Sequence, residues 1–354
     1  MIYWPKYLVP LLVAIGLLIF LIPALIPMAK RVGLVDHPGE RKQHTGNVPL
    51  VGGIAIAISL SLAILLSPDS FSSFRILFFS IGILIITGVL DDQREINAVK
   101  KFIFQVAAAL ILVTMGDTTV TTVGDILAVD QPLGLGFLAI PFSLIAIVAA
   151  INAFNMIDGH DGLAASTAIL TLAGLAFLLF IRGSIDDTQY ALLILLLISL
   201  LIVFLFFNLG WLVGPKNKVF LGDAGSNLIG IVIAFLLIHL SQRELLVVTP
   251  AAAPWLIGLP LFDMVTVIVG RVVSRTSILA ADRNHAHHLL KQLGLSDLSV
   301  LCILAVTQGF FVFIAICGTL LEWPDSFLFW GLAFSLIVYL FGLNLLRRKI
   351  NEQA

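Results

Sequence analysis

Eleven apolar runs separated by short polar loops are the feature that most limits how this chain can fold. Most of these runs are close in length to the roughly 20 residues that a helix needs to cross about 30 Å of hydrocarbon. The sequence is 60% hydrophobic and 12% charged, whereas about a quarter of the residues of a soluble domain are charged. We therefore predict an all-α polytopic membrane protein, a single domain over residues 1–354, with no sheet and no separate soluble domain.

The predicted transmembrane helices follow the apolar runs. They cover residues 7–28, 50–66, 74–90, 102–115, 134–151, 163–181, 190–208, 227–240, 252–270, 299–321 and 327–346. The fourth and eighth runs are short, so these helices are expected to be tilted, recessed or extended into a neighbouring loop. The first run lacks a basic region on its N-terminal side and a clear small-residue cleavage site, which predicts a retained span rather than a signal peptide.

The distribution of Lys and Arg predicts the orientation, because cytoplasmic loops carry the excess of these residues. Sixteen of the 20 Lys and Arg lie in the segments 30–42, 94–101, 216–218, 271–291 and 347–349. With eleven spans, this places the N-terminus outside and the C-terminus in the cytoplasm. The net charge of −1 gives no basic field for nucleic acid. Cys302 and Cys317 are too far apart along one helix to form a disulfide and are interpreted as packing residues.

Two acidic turns on the predicted cytoplasmic side are candidate metal or phosphate sites. Asp91 and Asp92 are adjacent where the third span ends, and a hard cation such as Mg²⁺ would relieve the repulsion between them. Asp223 lies in the turn Gly-Asp-Ala-Gly-Ser, residues 222–226, which opens the eighth helix. The N–H groups of such a turn favour phosphate, and its carboxylate favours a shared metal. Solvated acids at helix ends are the alternative in both places.

Residues 152–163 are predicted to form a polar inner loop without Lys or Arg. It contains Asn152, Asn155, Asp158 and Asp161, together with two glycines that permit tight turns near a ligand. Ionisable residues at membrane depth are costly and usually functional. A structural role in capping two half-helices is the alternative.

The longest inner loop ends in Arg283, His285, His287 and His288. Three histidines in four positions suggest Zn²⁺, but no cysteine is near them in the sequence. Imidazole and guanidinium groups also donate hydrogen bonds to phosphate oxygens, so phosphate binding is favoured over a zinc site or a solvated loop.

Some polar residues receive no clear role from the sequence. The basic, Pro/Gly-rich loop of residues 36–53 is either functional or an ordinary cytoplasmic anchor. Asp263, inside the ninth span, is either functional or paired with an unidentified polar neighbour. His239 is expected at the outer interface, and His160 has no assigned role.

Five motifs in a fixed order resemble those of the polyprenyl-phosphate N-acetylhexosamine-1-phosphate transferases (glycosyltransferase family 4). They are Asp36-x-Pro38 to Arg41-Lys42-x-His44 to Gly52-Gly53, Asp91-Asp92, Asn155 to Asp161 with Gly162-Leu163, Gly222-Asp223-x-Gly225-Ser226, and His285-x-His287-His288. The resemblance covers most of the chain. The number of spans and the His-x-His-His form are most similar to the bacterial GlcNAc-1-phosphate branch.

The resemblance implies transfer of GlcNAc 1-phosphate from UDP-GlcNAc to undecaprenyl phosphate, with release of UMP and a need for Mg²⁺ or Mn²⁺. It also implies the inner membrane of a bacterium, with the active site on the cytoplasmic face. UDP-FucNAc, UDP-QuiNAc and UDP-MurNAc-pentapeptide are alternative donors. The resemblance leaves open which polymer, such as lipopolysaccharide O antigen or teichoic acid, uses the product, and whether the chain forms a homodimer.

The resemblance also implies roles for individual residues. Asp223 would be a metal ligand, with Asp91 and Asp92 beside the metal. The nucleotide and its diphosphate would contact Asn155, Asp158, Asp161, Phe220, Arg283, His285, His287 and His288, and Lys101 would bind the phosphate of the lipid carrier. Direct attack by the lipid phosphate is favoured, while Asp91 as a base or an aspartyl-phosphate intermediate stays an alternative.

A secondary transporter is the alternative from another functional class, since many spans and intramembrane acids are ordinary there as well. Transporters usually place polar residues near the midplane of the membrane. Here most ionisable residues lie at one predicted face, and only Asp263 is clearly within a span. The distribution of charge therefore favours the enzyme.

Overall fold

The computed structural model of the chain describes residues 5–37, 46–67, 74–184, 187–211, 213–214, 217–277 and 285–353. These residues form twelve α-helices. They are α1 (Pro5–Val32), α2 (Gly52–Leu65), α3 (Arg75–Arg94), α4 (Ala98–Met115), α5 (Ala139–Ile157), α6 (Leu163–Arg182), α7 (Thr188–Asn208), α8 (Gly222–Ser241), α9 (Gly258–Val273), α10 (Ala286–Gln292), α11 (Asp297–Leu320) and α12 (Asp325–Gln353). Short 3₁₀ helices, Gly136–Leu138 and Ala253–Ile257, precede α5 and α9.

The helices agree with a multi-pass membrane protein. Ten helices of the described residues are long and apolar enough to cross a membrane, and α2, with 14 residues, is a shorter apolar helix. Their outward faces carry exposed large apolar side chains such as Phe137 (90% exposed) and Phe180 (81%), as a lipid-facing surface requires. The eleven-span count and the direction of insertion stay predictions.

Helix α8 is the centre of the bundle. Each of its residues is buried except Asp223, in its first turn, and His239, near its end. It packs most extensively against α3 and α5 and also contacts α2. A helix that is apolar on all sides is expected to be buried in this way. Because Asp223 lies in the first turn of α8, its carboxylate stands at the edge of the buried core.

Two sequence predictions need correction, and one is confirmed. The expectation of no sheet was wrong in a minor way, since Val35–Asp36 and Val48–Pro49 pair as a two-residue antiparallel ladder. Asn152 and Asn155 were predicted in a loop but lie in the last turns of α5, which continues to Ile157. The two short apolar runs do extend into loops, as α4 and α8 show.

Candidate active site

Five polar residues, which we call the acidic centre, meet where four helices end or begin. They are Asp91 and Asp92 in the last turn of α3, Lys101 in the first turn of α4, Asn155 near the end of α5 and Asp223 at the start of α8. Hydrogen bonds connect all five. The structure therefore brings together residues that the sequence separates by up to 132 positions.

The turn between α3 and α4 brings Lys101 back beside Asp91. Glu95, with a φ of +46°, ends α3, and its N–H donates to the Asp91 carbonyl. The Asn97 side chain then caps α4 by accepting from the Val99 N–H at 2.8 Å, an arrangement that stabilises helix starts. The Lys101 Nζ lies 3.1 Å from Asp91 Oδ2 and 3.3 Å from Asn155 Oδ1, and it also pairs with Asp223.

The Asp223 carboxylate is fixed from a second side. The Asn155 side-chain amide donates to Asp223 Oδ1 at 2.7 Å and to Ser226 Oγ at 3.0 Å. The Asp223 N–H donates to Asp92 Oδ1 at 3.0 Å. Gly222, with a φ of +71°, allows this approach, because a Cβ there would lie 2.5 Å from Asp92 Oδ2. The glycine before Asp223 is thus needed for both its backbone angle and its small size.

The acidic centre has the donor set of a divalent-cation site. Asp91 and Asp223 pair with the Lys101 ammonium, and Asp92 adds a third carboxylate through its hydrogen bond with the Asp223 N–H. Asp92 Oδ2 is buried without a hydrogen-bond partner among the described residues, and such an atom is costly unless a partner binds. Carboxylate oxygens are the ligands that Mg²⁺ and Mn²⁺ accept.

The three carboxylates do not form a closed metal cage. Within the described residues, no group of three or more His, Cys, Asp or Glu side chains is arranged to enclose a metal ion. An open site suits Mg²⁺, which usually takes one or two carboxylates together with substrate phosphates and water. The residues of the acidic centre therefore fit a metal that a phosphate substrate shares.

A turn after α5 lies next to the acidic centre. Asp158 ends the helix and is half-buried. Burial, followed by the negative charges of Asp223, Asp92 and Asp161, raises the pKa of Asp158 well above its usual range. The pKa of Asp158 therefore depends on the charge of the acidic centre. A cation bound there would favour the ionised form of Asp158.

Asp161 lies on a basic and aromatic side of the same turn. The Lys218 Nζ is 2.7 Å from Asp161 Oδ2 and 4.9 Å from the centre of the Phe220 ring. Phe220 donates its N–H to the Pro49 carbonyl at 2.9 Å, and its own carbonyl accepts from Gly52 at 3.0 Å. The loop that precedes α2 thus supports the segment that carries Phe220.

Asn208 holds the turn in place, although the sequence analysis did not single it out. At the end of α7, its Oδ1 accepts from the Gly162 N–H at 2.6 Å and its Nδ2 donates to the Val219 carbonyl at 2.9 Å. It is 5% exposed. The only feature of the sequence that could have identified Asn208 is its place as a polar residue at the end of an apolar span. Many residues at such positions simply lie at the membrane interface, so this feature alone did not indicate a role.

The histidine cluster, which consists of His160, His285, His287 and His288, lies on the other side of the turn. Ring centres are 4.2 Å apart for His287 and His288, 5.5 Å for His285 and His287, and 6.3 Å for His160 and His287. His160, which received no role from the sequence, therefore belongs to this cluster. Arg283 lies outside the described residues.

His287 is the most buried histidine of the cluster, at 1% exposure, and its Nε2 has no hydrogen-bond partner among the described residues. Burial, and then the positive charges of His288, His285, His160 and Lys291, hold the pKa of His287 well below its usual range. The ring is therefore neutral at neutral pH. A Cβ at Gly159 would lie 2.6 Å from this Nε2, so Gly159 touches His287 directly.

The turn of residues 158–162 therefore connects the two clusters. Asp158 interacts electrostatically with Asp92 and Asp223, and the next residue, Gly159, lies against His287. The result is a surface with carboxylates on one side and imidazoles on the other. Such a surface can hold a metal–diphosphate, because the carboxylates suit the metal and the imidazoles can donate to phosphate oxygens.

The remaining polar residues singled out by the sequence have defined partners. Asp263 is hydrogen-bonded to His285, which identifies its polar neighbour. His160 lies 3.4 Å from Asp297, which also pairs with Lys291 at 2.8 Å. His239 is half-buried, with its ring centre 4.2 Å from that of Phe235.

Comparisons with known proteins agree with the resemblance. Residues 74–241, which contain the whole acidic centre, match the model of Glycosyl transferase family 4. The chain is similar to undecaprenyl-phosphate alpha-N-acetylglucosaminyl 1-phosphate transferases of three bacteria. It is 32% identical to that of Yersinia pestis (88% of this chain, 85% of the relative), 31% to that of Escherichia coli strain K12 (89% and 84%) and 32% to that of Haemophilus influenzae (90% and 88%). The chain therefore belongs to glycosyl transferase family 4 and is a membrane phosphoglycosyltransferase.

Proposed function

We propose that this protein transfers GlcNAc 1-phosphate from UDP-GlcNAc to undecaprenyl phosphate, giving undecaprenyl-diphosphate-GlcNAc and UMP. The observation that carries the proposal is the turn that joins the acidic centre to the histidine cluster, since a diphosphate with a bound metal needs both. The names of the relatives, which are matched over 84–88% of their own length, select the donor and the acceptor.

The reaction brings two anions together. An oxygen of the lipid phosphate attacks the β-phosphorus of the UDP-sugar, the phosphorus that bears the sugar. A phosphorus–oxygen bond forms there, the bond from the β-phosphorus to the bridging oxygen breaks, and UMP leaves with that oxygen. A phosphate monoester with a second pKa near 6 is mostly dianionic at neutral pH, so a general base contributes little.

Mg²⁺ or Mn²⁺, bound by Asp223, Asp91 and Asp92, would neutralise the approaching anions and the charge that develops on UMP. Asn155 orients Asp223 through the 2.7 Å hydrogen bond. Lys101, already beside Asp91 and Asp223, supplies a positive charge for the phosphate of the lipid carrier. These assignments follow the family motifs and the contacts of the acidic centre.

The donor binds across the turn in this proposal. The diphosphate contacts the histidine cluster and Arg283, and the uridine lies near Asp158, Asp161 and Phe220. Neutral His287 donates a hydrogen bond without requiring protonation from solvent. The half-buried ring of Phe220 offers a stacking surface for the uracil base.

We also propose that the protein lies in the inner membrane of a bacterium with this site on the cytoplasmic side. The ends of α3 and α9 and the starts of α4 and α8 adjoin loops that carry many of the Lys and Arg. A UDP-sugar donor is made in the cytoplasm, which agrees with that orientation. Cysteine labelling of intact cells tests this orientation. Glu95 and Leu127 are exposed residues beyond opposite ends of α4, and an impermeant reagent should label Leu127→Cys but not Glu95→Cys.

The reaction is tested by supplying the detergent-purified protein with undecaprenyl phosphate, Mg²⁺ and UDP-GlcNAc and measuring UMP and labelled lipid. Equal amounts of both products are expected, none with EDTA and none without the lipid. Release of UMP without the lipid acceptor would favour an aspartyl-phosphate intermediate. Product only with another UDP-N-acetyl sugar would retain the mechanism and change the donor, and no product with any donor would overturn the proposal.

A further inference from the structure

Asp263 is a buried carboxylate that receives three hydrogen bonds, two from the start of α10 and one from α12. It lies in α9 and is 2% exposed. The His285 Nδ1 lies 2.6 Å from Oδ2, while Oδ1 accepts from the Ala286 N–H at 2.9 Å and from the Tyr339 hydroxyl at 3.4 Å. The carboxylate thus joins α9 and α12 to the start of α10.

The cost of this arrangement argues against a purely incidental contact. An acid inside a membrane-spanning helix is expensive, and such residues are usually functional. Both oxygens are used, one for the side chain of His285 and one for the backbone of the next residue. Asp263 in α9 thus holds both the His285 ring and the backbone next to it, which fixes the position and the direction of the ring.

Asp263 also determines which nitrogen of His285 is available. A carboxylate is an acceptor, so the Nδ1 of His285 carries the hydrogen in the contact of 2.6 Å. The other nitrogen, Nε2, is then the one that can face a substrate. A carboxylate behind a functional histidine sets the tautomer and the orientation of the ring in this way.

The effect of Asp263 extends past His285. The His285 ring stacks on the ring of His287 with 18° between their planes. His287 in turn contacts Gly159 in the turn beside the acidic centre. A series of direct contacts therefore leads from Asp263 to the surface that joins the two clusters.

We propose that Asp263 is a positioning residue for donor binding: through His285, it holds the histidine cluster in the orientation that binds the diphosphate of the UDP-sugar. This inference rests on the proposed function for the identity of the donor. It assigns a role to the acid of α9 that neither the family motifs nor the acidic centre includes.

The test compares Asp263→Asn with the wild type in two assays, UDP-GlcNAc binding with Mg²⁺ by calorimetry and steady-state turnover. The substituted amide retains the size of the side chain, but its two ends differ, so it cannot accept hydrogen bonds at both of them. We expect binding to weaken and kcat/KM to fall about 10- to 100-fold, as for other carboxylates behind functional histidines. Asp263→Glu, which keeps the acceptor, is expected to recover part of the loss.

The double variant separates positioning from general stability. If Asp263 acts through His285, then Asp263→Asn adds little in a His285→Gln background, because the group that it positions is already lost. An equal loss in both backgrounds would indicate a merely structural role and overturn the inference. Asp187→Asn is the matched control, since this buried acid is 3% exposed, accepts from Ser184 at 2.7 Å and pairs with Arg243; unchanged binding is expected there.

The inference and the proposed reaction fail separately. If the wild type binds UDP-GlcNAc but forms no lipid product, the reaction is wrong, while a His285-dependent loss of binding in Asp263→Asn still supports positioning. If the wild type is active and Asp263→Asn binds the donor equally well, the positioning role is wrong and the reaction stands. A wild type that binds no UDP-sugar would overturn both.

Discussion

Lys101 and Asp223, 122 positions apart, form an ion pair that joins the first turn of α4 to the first turn of α8. The same ammonium contacts Asp91 at 3.1 Å and Asn155 at 3.3 Å. One lysine thereby connects four helices at the place where we propose that a divalent cation binds. The acidic centre is consequently organised before any substrate arrives, which is the condition for electrostatic stabilisation of a transition state.

Replacing Asp223 by Asn is expected to lower kcat by at least about 10³-fold, because it removes a proposed metal ligand and breaks the ion pair with Lys101. The side chain keeps its size, so the protein should purify as a folded monodisperse species. Asp130→Asn, an exposed acid in the connection before α5, is the matched control and should leave turnover unchanged. Near-normal turnover of Asp223→Asn would disprove the assignment.

Replacing Lys101 by Met should lower both turnover and the thermal stability of the metal-free protein. The carboxylates of Asp91 and Asp223 would lose their shared cation, and removal of one partner of a buried pair leaves an uncompensated charge. Because the Lys101 side chain is 18% exposed, we expect a loss of about 1–3 kcal/mol, smaller than for a fully buried pair.

Added Mg²⁺ should restore more stability to Lys101→Met than it adds to the wild type, since the variant has the larger excess of negative charge. Lys100→Met is the control, because Lys100 is the adjacent residue and is exposed. Melting curves with EDTA and with Mg²⁺ measure the difference. An equal response of both variants to Mg²⁺ would contradict a cation site at the acidic centre.

The metal-free protein should lose stability as the pH rises, and Asp158 is a cause. The pKa of Asp158 in the folded protein is well above its usual range, so the folded state binds a proton more tightly than the unfolded chain. Its contribution is therefore most favourable near or below the usual pKa of about 3.9 and is lost as the pH rises toward the folded-state pKa.

Asp158→Asn should make the melting temperature of the metal-free protein less dependent on pH above the usual Asp pKa of about 3.9. Mg²⁺ should have the same effect on the wild type, because a cation near Asp92 and Asp223 offsets the repulsion that raises the pKa. Melting curves across this range provide the measurement, and parallel slopes for wild type and Asp158→Asn would refute the predicted linkage.

Gly159→Ala should weaken donor binding without unfolding the protein. The added Cβ would lie 2.6 Å from His287 Nε2, so the ring must move away from the turn. We expect KM for UDP-GlcNAc to rise about 10-fold, equivalent to roughly 1.4 kcal/mol. Gly82→Ala in α3, where a Cβ has no neighbour within 4 Å, should behave as the wild type. Unchanged KM in Gly159→Ala would separate His287 from donor binding.

The sequence alone predicted much of this architecture, because apolar runs of membrane-spanning length have few alternative structures. It located the acids at the end of α3 and the start of α8 and grouped sixteen of the 20 Lys and Arg on one predicted side. Its loop boundaries were less accurate. Asn155 was assigned to a loop because polar composition indicated an interruption, yet α5 continues to Ile157 and so points Asn155 at Asp223.

What only the tertiary structure decided is which polar groups meet. Sequence spacing is informative within one helix or turn, whereas Lys101 with Asp223, Asn208 with Gly162 and Asp263 with His285 depend on how separate helices pack. The close contacts at Gly222 and Gly159 likewise have no periodic signal. The sequence determined the membrane-spanning helices and the chemical character of the site, because hydrophobic length and residue type are local properties. The packing around α8 decided the geometry of the site, because the distances between helices depend on contacts between distant parts of the chain and are not local properties of the sequence.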